Sequence, residues 1–288
     1  MHVLQHIRSF RHWRTSPKLH TKTIGFVPTM GALHPGHQAL IRTARTTCDL
    51  VVVSLFVNPL QFGPHEDLDH YPRTMKEDLA LCRQEGVDVV FAPPQHELFP
   101  PDFQTQVTVS RLSKRWEGET RPMHFQGVAT IVSKLLILVC PTKAFFGQKD
   151  YQQTLLIQQL TKDLCLPITI SLCPTIREPQ GLAWSSRNQL LTSPQRVKAL
   201  TLFQALKAGK KLIDSGIQDI RKIRQTMMQS IHTHKSVTID YLSICDPVTL
   251  EPLRHLQPKM VLLGAIRVGG VRLIDNLIVR TPKKRMNN

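Results

Sequence analysis

Between residues 23 and 172 the chain repeats one pattern, in which apolar runs too short for helices alternate with longer amphipathic segments. Residues 23–28 (TIGFVP), 50–57 (LVVVSLFV), 87–92 (VDVVFA), 144–146 (AFF) and 168–172 (ITISL) read as buried strands. Residues 36–47, 74–86, 126–139 and 151–164 read as the helices between them. In 126–139 the apolar positions Val128, Ile131, Val132, Leu135, Leu136 and Val139 fall on one helical face. Strands joined through helices return to the same sheet in parallel, by right-handed crossovers, so an α/β fold with a Rossmann-like parallel sheet is expected. Beyond residue 175 the alternation stops. Ser193-Pro194 predicts an N-cap and a first helical residue, a second helix follows Asp219, and strands are expected at 237–245, 260–267 and 271–279. Helices followed by strands predict a smaller α+β domain. The expected division is therefore 1–175 and 176–288.

Composition narrows the class further. Hydrophobic residues make up 41% of the 288, enough for a core, which excludes global disorder. The most apolar stretch, IVSKLLILVC at 131–140, is interrupted by Lys134, so no membrane span is expected. The amino-terminal MHVLQHIRSFRHWRTSPK has no apolar h-region. Its Arg and His content leaves a transit peptide conceivable, without the serine enrichment of one. Six cysteines (48, 82, 140, 165, 173 and 245) form no CxxC pair and predict buried free thiols in a reducing compartment. A soluble cytoplasmic protein is the expectation. The net charge is +16, from 37 Lys and Arg against 21 Asp and Glu. Dispersed basic residues on an ordinary surface explain this most simply, and the densest run, Lys283-Lys284-Arg285, lies in the tail.

Four segments at strand ends carry chemistry. The first is Pro28-Thr29-Met30-Gly31-Ala32-Leu33-His34-Pro35-Gly36-His37, between a strand and a helix. A helix N-terminus offers free N–H groups to an anion, Gly31 and Gly36 allow close backbone approach, and two imidazoles three residues apart can donate to a phosphate. Ordinary loop histidines and a zinc site are the alternatives, the latter without a third ligand nearby. The second is Phe146-Gly147-Gln148-Lys149-Asp150-Tyr151-Gln152-Gln153. Here Gly147 can present backbone, Lys149 a point charge for phosphate and Asp150 an acceptor for ribose hydroxyls; a solvated helix start is the plainer reading. The third, Glu178-Pro179-Gln180-Gly181-Leu182-Ala183-Trp184-Ser185-Ser186-Arg187-Asn188, pairs hydroxyls with a guanidinium in a glycine-containing loop suited to a polyphosphate. It could equally be a serine-rich surface turn. The fourth, Asn58-Pro59-Leu60-Gln61-Phe62-Gly63, offers Gln61 to a small polar substrate, or is a structural Asn-Pro turn.

Together with DLDHYPRT (67–74), RPMHFQGVAT (121–130) and GAIRVGGVRLIDN (264–276), these segments make the chain resemble the pantoate–β-alanine ligase (pantothenate synthetase) family over residues 23–280. PTMGALHPGH is also similar to the HIGH signature of the nucleotidylyl-transferase superfamily, and the Ser-Ser-Arg loop to its second signature. The resemblance implies a Rossmann-like domain with a smaller C-terminal domain acting as a lid over the site, and a cytoplasmic homodimer; dispersed positive charge, no visible RNA-binding motif and no long apolar stretch predict no nucleic-acid or membrane partner. It implies that ATP and pantoate give pantoyl adenylate and pyrophosphate, after which β-alanine takes the acyl group to give pantothenate and AMP, with Mg2+ accompanying ATP.

The resemblance also assigns residues. Met30, Gly31, Ala32, Leu33, His34, Pro35, Gly36 and His37 would line the ATP site, with His34, His37 and Lys149 catalytic. Gly147 and Asp150 would bind ribose, and Gln148 would neighbour them. Ile176 would border adenine beside Trp184, while Ser185, Ser186 and Arg187 would clasp the triphosphate. Gln61 and Gln153 would hold pantoate, and Asp78 would approach magnesium. No protein residue is assigned as a fixed metal ligand. Gln148, Trp184 and Met123 depart from the family's commoner Glu, Met or Leu, and Gly. Two other classes remain open at this stage. One is a nucleotidylyl transferase acting on another acid or a phosphorylated alcohol. The other is a nucleic-acid binder, suggested only by the basic charge.

Overall fold

The structure is a computed structural model that describes residues 1–64, 66–233 and 236–282; the basic run 283–285 lies outside the described residues. The chain divides into two compact units, 1–176 and a second beginning at Arg177. In the first, the elements are β1 (His2–Leu4), α1 (Ile7–Arg14), β2 (Ile24–Thr29), α2 (Pro35–Thr47), β3 (Leu50–Leu55), α3 (Met75–Gln84), β4 (Val89–Phe91), α4 (Gln95–Leu98), α5 (Glu117–Thr120), α6 (His124–Val139), β5 (Lys143–Gly147), α7 (Tyr151–Asp163) and β6 (Thr169–Cys173). The strands form one sheet in the order β1-β4-β3-β2-β5-β6, all parallel. The Rossmann-like expectation holds.

The β-branched runs are continuous because both faces of the sheet are covered. Along β3, Val52 enters a core with Phe26, Phe91 and the apolar positions of α6, whereas Val51 and Val53 enter a second core with Leu40, Ile41 and Ala44 of α2. Successive side chains alternate between two packed layers. Each fully buried Val contributes roughly 1.5 kcal/mol or more. Helix α6 is more deeply enclosed than a one-faced helix, since Phe125, Ala129, Thr130, Ser133 and Leu138 are buried as well as the predicted stripe. Its Lys134 escapes by donating to the Leu98 carbonyl, with its ammonium 4.7 Å from the Phe103 ring centroid.

Strand β1 and helix α1 were not anticipated. Ile7, Phe10 and Trp13 are spaced for one helical face, and Phe10 is fully buried with its ring centroid 4.6 Å from that of Phe91. The thiol expectation needs correction too. Cys48, Cys82, Cys173 and Cys245 are buried, but Cys140 and Cys165 are exposed. Cys140 ends α6 in the left-handed region (φ 43°), which turns its side chain out of the core that its apolar neighbours fill.

The second unit contains α8 (Ser193–Asp214), α9 (Ile220–His232), and the antiparallel sheet β7 (Val237–Cys245), β8 (Lys259–Val268), β9 (Val271–Arg280), in that order. The N-cap of α8 is Thr192, with Ser193 and Pro194 as its first two residues. Thr192 N–H donates to the Gln195 side chain at 2.8 Å, which shifts the helix start one residue from the Ser193 cap read in the sequence. Asp219 caps α9 through bonds from Arg221 and Lys222 N–H. No helix among the described residues is long and apolar enough to cross a membrane.

Candidate active site

In the first unit, β2 is the strand at which the order reverses, with β3 on one side and β5 on the other. A crevice at such a point, beyond the carboxyl ends of the strands, is where open parallel sheets bind ligands. The pairing sets Thr29 beside Leu55 and Gly147 beside Cys173. The β2–β5 register, with Gly25 opposite Lys143, puts Thr29 level with Gly147. Residues 30–37, 58–61, 147–153 and 174–176 thus leave adjacent strand ends on one side of the sheet.

The loop from β2 into α2 turns through two successive left-handed residues, Gly31 (φ 79°) and Ala32 (φ 50°). At Ala32 this conformation costs on the order of 1 kcal/mol. The N–H groups of Ala32 and Leu33 both donate to the Asp78 carboxylate, at 2.9 and 2.7 Å. Two charge-assisted bonds, each worth roughly 1.5–3 kcal/mol, outweigh the strain. Gly31 packs so close that a Cβ there would lie 3.0 Å from the same carboxylate.

His34 is the N-cap of α2, and its Nδ1 accepts from Gly36 N–H at 3.1 Å. His37 Nδ1 accepts from His34 N–H at 3.4 Å, and the two rings stack with centroids 4.0 Å apart. Burial, and next the charge of Lys149, lower the His34 pKa to about 4. Burial, then His34 and Lys149, push His37 well below its ordinary value. Both rings are therefore neutral at pH 7. Because Nδ1 accepts from a backbone N–H in each, the ring proton sits on Nε2, and each ring offers one Nε2–H donor. Sequence spacing alone did not distinguish this from a pair of imidazolium cations. The formal positive charge here belongs to Lys149, whose Nζ lies 3.3 Å from Asp150.

Gln61 ends a short 3-10 turn (Pro59–Gln61), and its amide donates to the Met30 sulfur at 2.9 Å. The buried Asn58 fixes it, donating to the Gln61 side-chain oxygen and to Gly127 carbonyl, both at 3.1 Å. The Gln61 carbonyl accepts from Arg121 at 3.2 Å and lies 3.0 Å from His124 Nδ1. Arg121 is held in turn by a bidentate pair with Glu66. Of the two glutamines opening α7, Gln152 is committed to structure, donating to the Leu112 and Arg115 carbonyls at 2.7 Å. Gln153 is half-buried, and no side-chain hydrogen bond to another described residue holds it. Gly147 faces open space, with nothing within 4 Å of where a Cβ would sit. Ile176 is half-buried at the end of the unit.

Trp184, Ser185, Ser186 and Arg187 belong to the second unit. Ser185 caps a 3-10 turn by accepting from Arg187 N–H at 3.3 Å, Ser186 is buried, and Trp184 and Arg187 are half-buried. Two ion pairs brace this loop. Glu178 receives two bonds of 2.6 Å from Arg196, and Arg177 holds Asp275 at 2.6 and 2.8 Å.

The residues do not form a metal cage. Among the described residues no group of three or more His, Cys, Asp or Glu is placed to hold a metal ion, and both Asp78 oxygens are engaged by backbone. The approach of Asp78 to magnesium gains no support from this arrangement.

The profile of the family described as Pantoate-beta-alanine ligase matches residues 2–278. The chain belongs to the pantoate–β-alanine ligase family. Similar members include the pantothenate synthetases of Thermotoga petrophila, 44% identical over 97% of this chain and 100% of theirs, and of Aquifex aeolicus, 45% identical over 97% and 99%. Among solved structures, pantothenate synthetase from Thermus thermophilus superposes with a TM-score of 0.92 at 42% identity, covering 96% of this chain and 99% of that one. Pantoate-beta-alanine ligase from Francisella tularensis, complexed with beta-gamma ATP and beta-alanine, gives 0.80 at 34% identity over 96% and 97%. Within this family frame, Glu66, Arg121 and His124 are residues that sequence reasoning left without a role, and the pairings of Asn58 with Gly127 and of Asp78 with the Ala32–Leu33 backbone were not read from it. Their contacts span up to 69 positions of sequence, and residue spacing carries no trace of such pairings.

Proposed function

We propose that this chain is an ATP-dependent ligase that joins pantoate to β-alanine through pantoyl adenylate. Family membership across nearly the whole chain carries this reading, and the residues gathered at the strand-order reversal suit it. Pantoate, held by the Gln61 and Gln153 amides, attacks the α-phosphorus of ATP with its carboxylate oxygen, and the bond to pyrophosphate breaks. The amine of β-alanine then attacks the acyl carbon, releasing AMP and a proton and giving pantothenate. Neither step needs a protein nucleophile, so catalysis rests on alignment and on donors placed at the phosphates.

On this reading the Nε2–H groups of His34 and His37 and the Lys149 ammonium stabilise charge on the departing pyrophosphate. His37, being neutral, donates a hydrogen bond and does not act as an acid. The open backbone at Gly147, with Asp150, binds ribose beside Gln148. Met30, Gly31, Ala32, Leu33, Pro35 and Gly36 line the nucleotide, and Ile176 borders adenine. Trp184, Ser185, Ser186 and Arg187 are the further ATP-binding residues of this reading. Magnesium enters with ATP as part of the substrate. Location in the cytoplasm and assembly as a homodimer accompany the proposal, and light scattering of the purified protein tests the latter.

The decisive assay follows pyrophosphate release from ATP and pantoate without β-alanine, then AMP-coupled pantothenate formation with all three. Lys149→Ala and His37→Ala should each lower kcat by about 100-fold or more, the scale for losing one charge-stabilising donor. Full activity in both variants overturns these roles, and turnover only with a different acid overturns the substrate.

A further inference from the structure

Asp78 is a buried carboxylate whose hydrogen-bond partners among the described residues include no Lys or Arg. It stands in the first turn of α3, 3% exposed, and its two oxygens receive N–H bonds from consecutive residues 46 and 45 positions earlier. The Asp78 N–H donates to the Thr74 carbonyl at 2.9 Å. Burial raises the Asp78 pKa against the pull of the Ala32 and Leu33 bonds, and both burial and the Asp78 charge push the Cys82 thiol, one helical turn on, up to about 12. The site is thus unfavourable for a charge, yet it holds one where the chain makes two left-handed steps in succession. Consecutive N–H groups in such a turn form a concavity suited to an anion. Here the protein's own carboxylate fills it, so those N–H groups are not available to a phosphate.

We infer that Asp78 is a positioning residue for adenylation: its carboxylate latches the Gly31–Ala32 turn in the left-handed form that aims the His34 and His37 Nε2–H donors at the nucleotide. The inference rests on the proposed function for its catalytic readout. The latch acts on the loop and not on pantoate, and it competes directly with a role for Asp78 as a magnesium ligand.

Asp78→Asn keeps the shape but replaces one acceptor by an NH2 that faces a backbone donor. The expected result is a kcat at least 10-fold lower, with the pantoate KM and the Mg2+ concentration for half-maximal rate each within about twofold of the parent, on the scale of a lost hydrogen bond to a charged group. Adding Ala32→Gly removes the penalty for the left-handed conformation, so the double variant Asp78→Asn/Ala32→Gly should recover about threefold or more of the lost rate. Amide hydrogen exchange supplies a readout independent of turnover. Ala32 and Leu33 should exchange about 10-fold faster or more in Asp78→Asn, while β2 stays protected. If the parent enzyme makes no pyrophosphate from ATP and pantoate, the functional reading fails, and the exchange result still decides the latch. Unchanged exchange at both amides overturns the latch. So does a large rise in the Mg2+ requirement, or a failure of the glycine substitution to restore rate.

Discussion

His34 and His37 show how backbone geometry sets the chemistry of a side chain. Their spacing and their place after a strand are visible in the sequence, but their protonation state is not, because it follows from burial and from Lys149, which arrives from another strand end. His124 is buried in the same way and lowered to about 4, by burial first and then by Arg121, yet its Nδ1 meets the Gln61 carbonyl and must therefore carry the proton. Imidazole 15N titration should find Nε2–H tautomers at His34 and His37 and the Nδ1–H tautomer at His124, with His34 and His124 titrating near 4 and His37 well below its ordinary value. A neutral folded-state histidine favours folding above the unfolded pKa, and that contribution is lost as pH falls towards the folded value. All three rings therefore make stability decline as pH falls below about 6.5, His34 and His124 down to about 4. Protonation of any of the three near its ordinary value would refute the burial argument.

At the level of elements, the alternating strands and helices were legible because both sheet faces are covered, which writes unbroken β-branched runs into the chain. Strand β1 has three residues and α1 eight, too few to stand out in a segment rich in Arg and His. The approach of α6 to the Pro59–Gln61 turn was equally hidden, although it places the proposed pantoate contact. Gly127 permits it, since a Cβ there would lie 2.1 Å from the Leu60 carbonyl oxygen and 2.6 Å from Gln61 N. Gly127→Ala should therefore push the turn off the helix, pull Gln61 from Asn58 and Met30, and cost about 1–3 kcal/mol of stability, as overpacking does. The expected kinetic sign is a pantoate KM raised by about fivefold or more with the ATP KM little changed, the pattern of lost ground-state binding. Equal effects on both substrates would instead mean a general collapse of the site, and a parent-like pantoate KM would remove Gln61 from substrate binding.

For the whole molecule, the even spread of charge read from the sequence conceals an asymmetry. Residues 177–288 hold 19 Lys and Arg against 7 Asp and Glu, a net +12 of the chain's +16. The apolar cores are separate as well. Phe26, Val52, Phe91 and α6, with the α2 layer, fill the first unit, while Leu202, Leu206, Met227 and Leu262 fill the second. A unit with its own two-layered core around a six-stranded sheet has what independent folding requires. The fragment 1–176 should therefore give a cooperative melt and the far-UV spectrum of an α/β protein. Without Ser185, Ser186 and Arg187 it should bind ATP more weakly than the full chain, with a shallower salt dependence because it keeps only a net +4. It should release pyrophosphate at least about 100-fold more slowly, if Ser185, Ser186 and Arg187 act on the phosphates as proposed. Circular dichroism, calorimetric titration with ATP at two ionic strengths and the pyrophosphate assay check these three expectations separately. A fragment that folds and adenylates pantoate at the full-length rate would show that the nucleotide machinery lies wholly in the first unit. A fragment without a cooperative melt would show that separate cores do not make this unit self-sufficient.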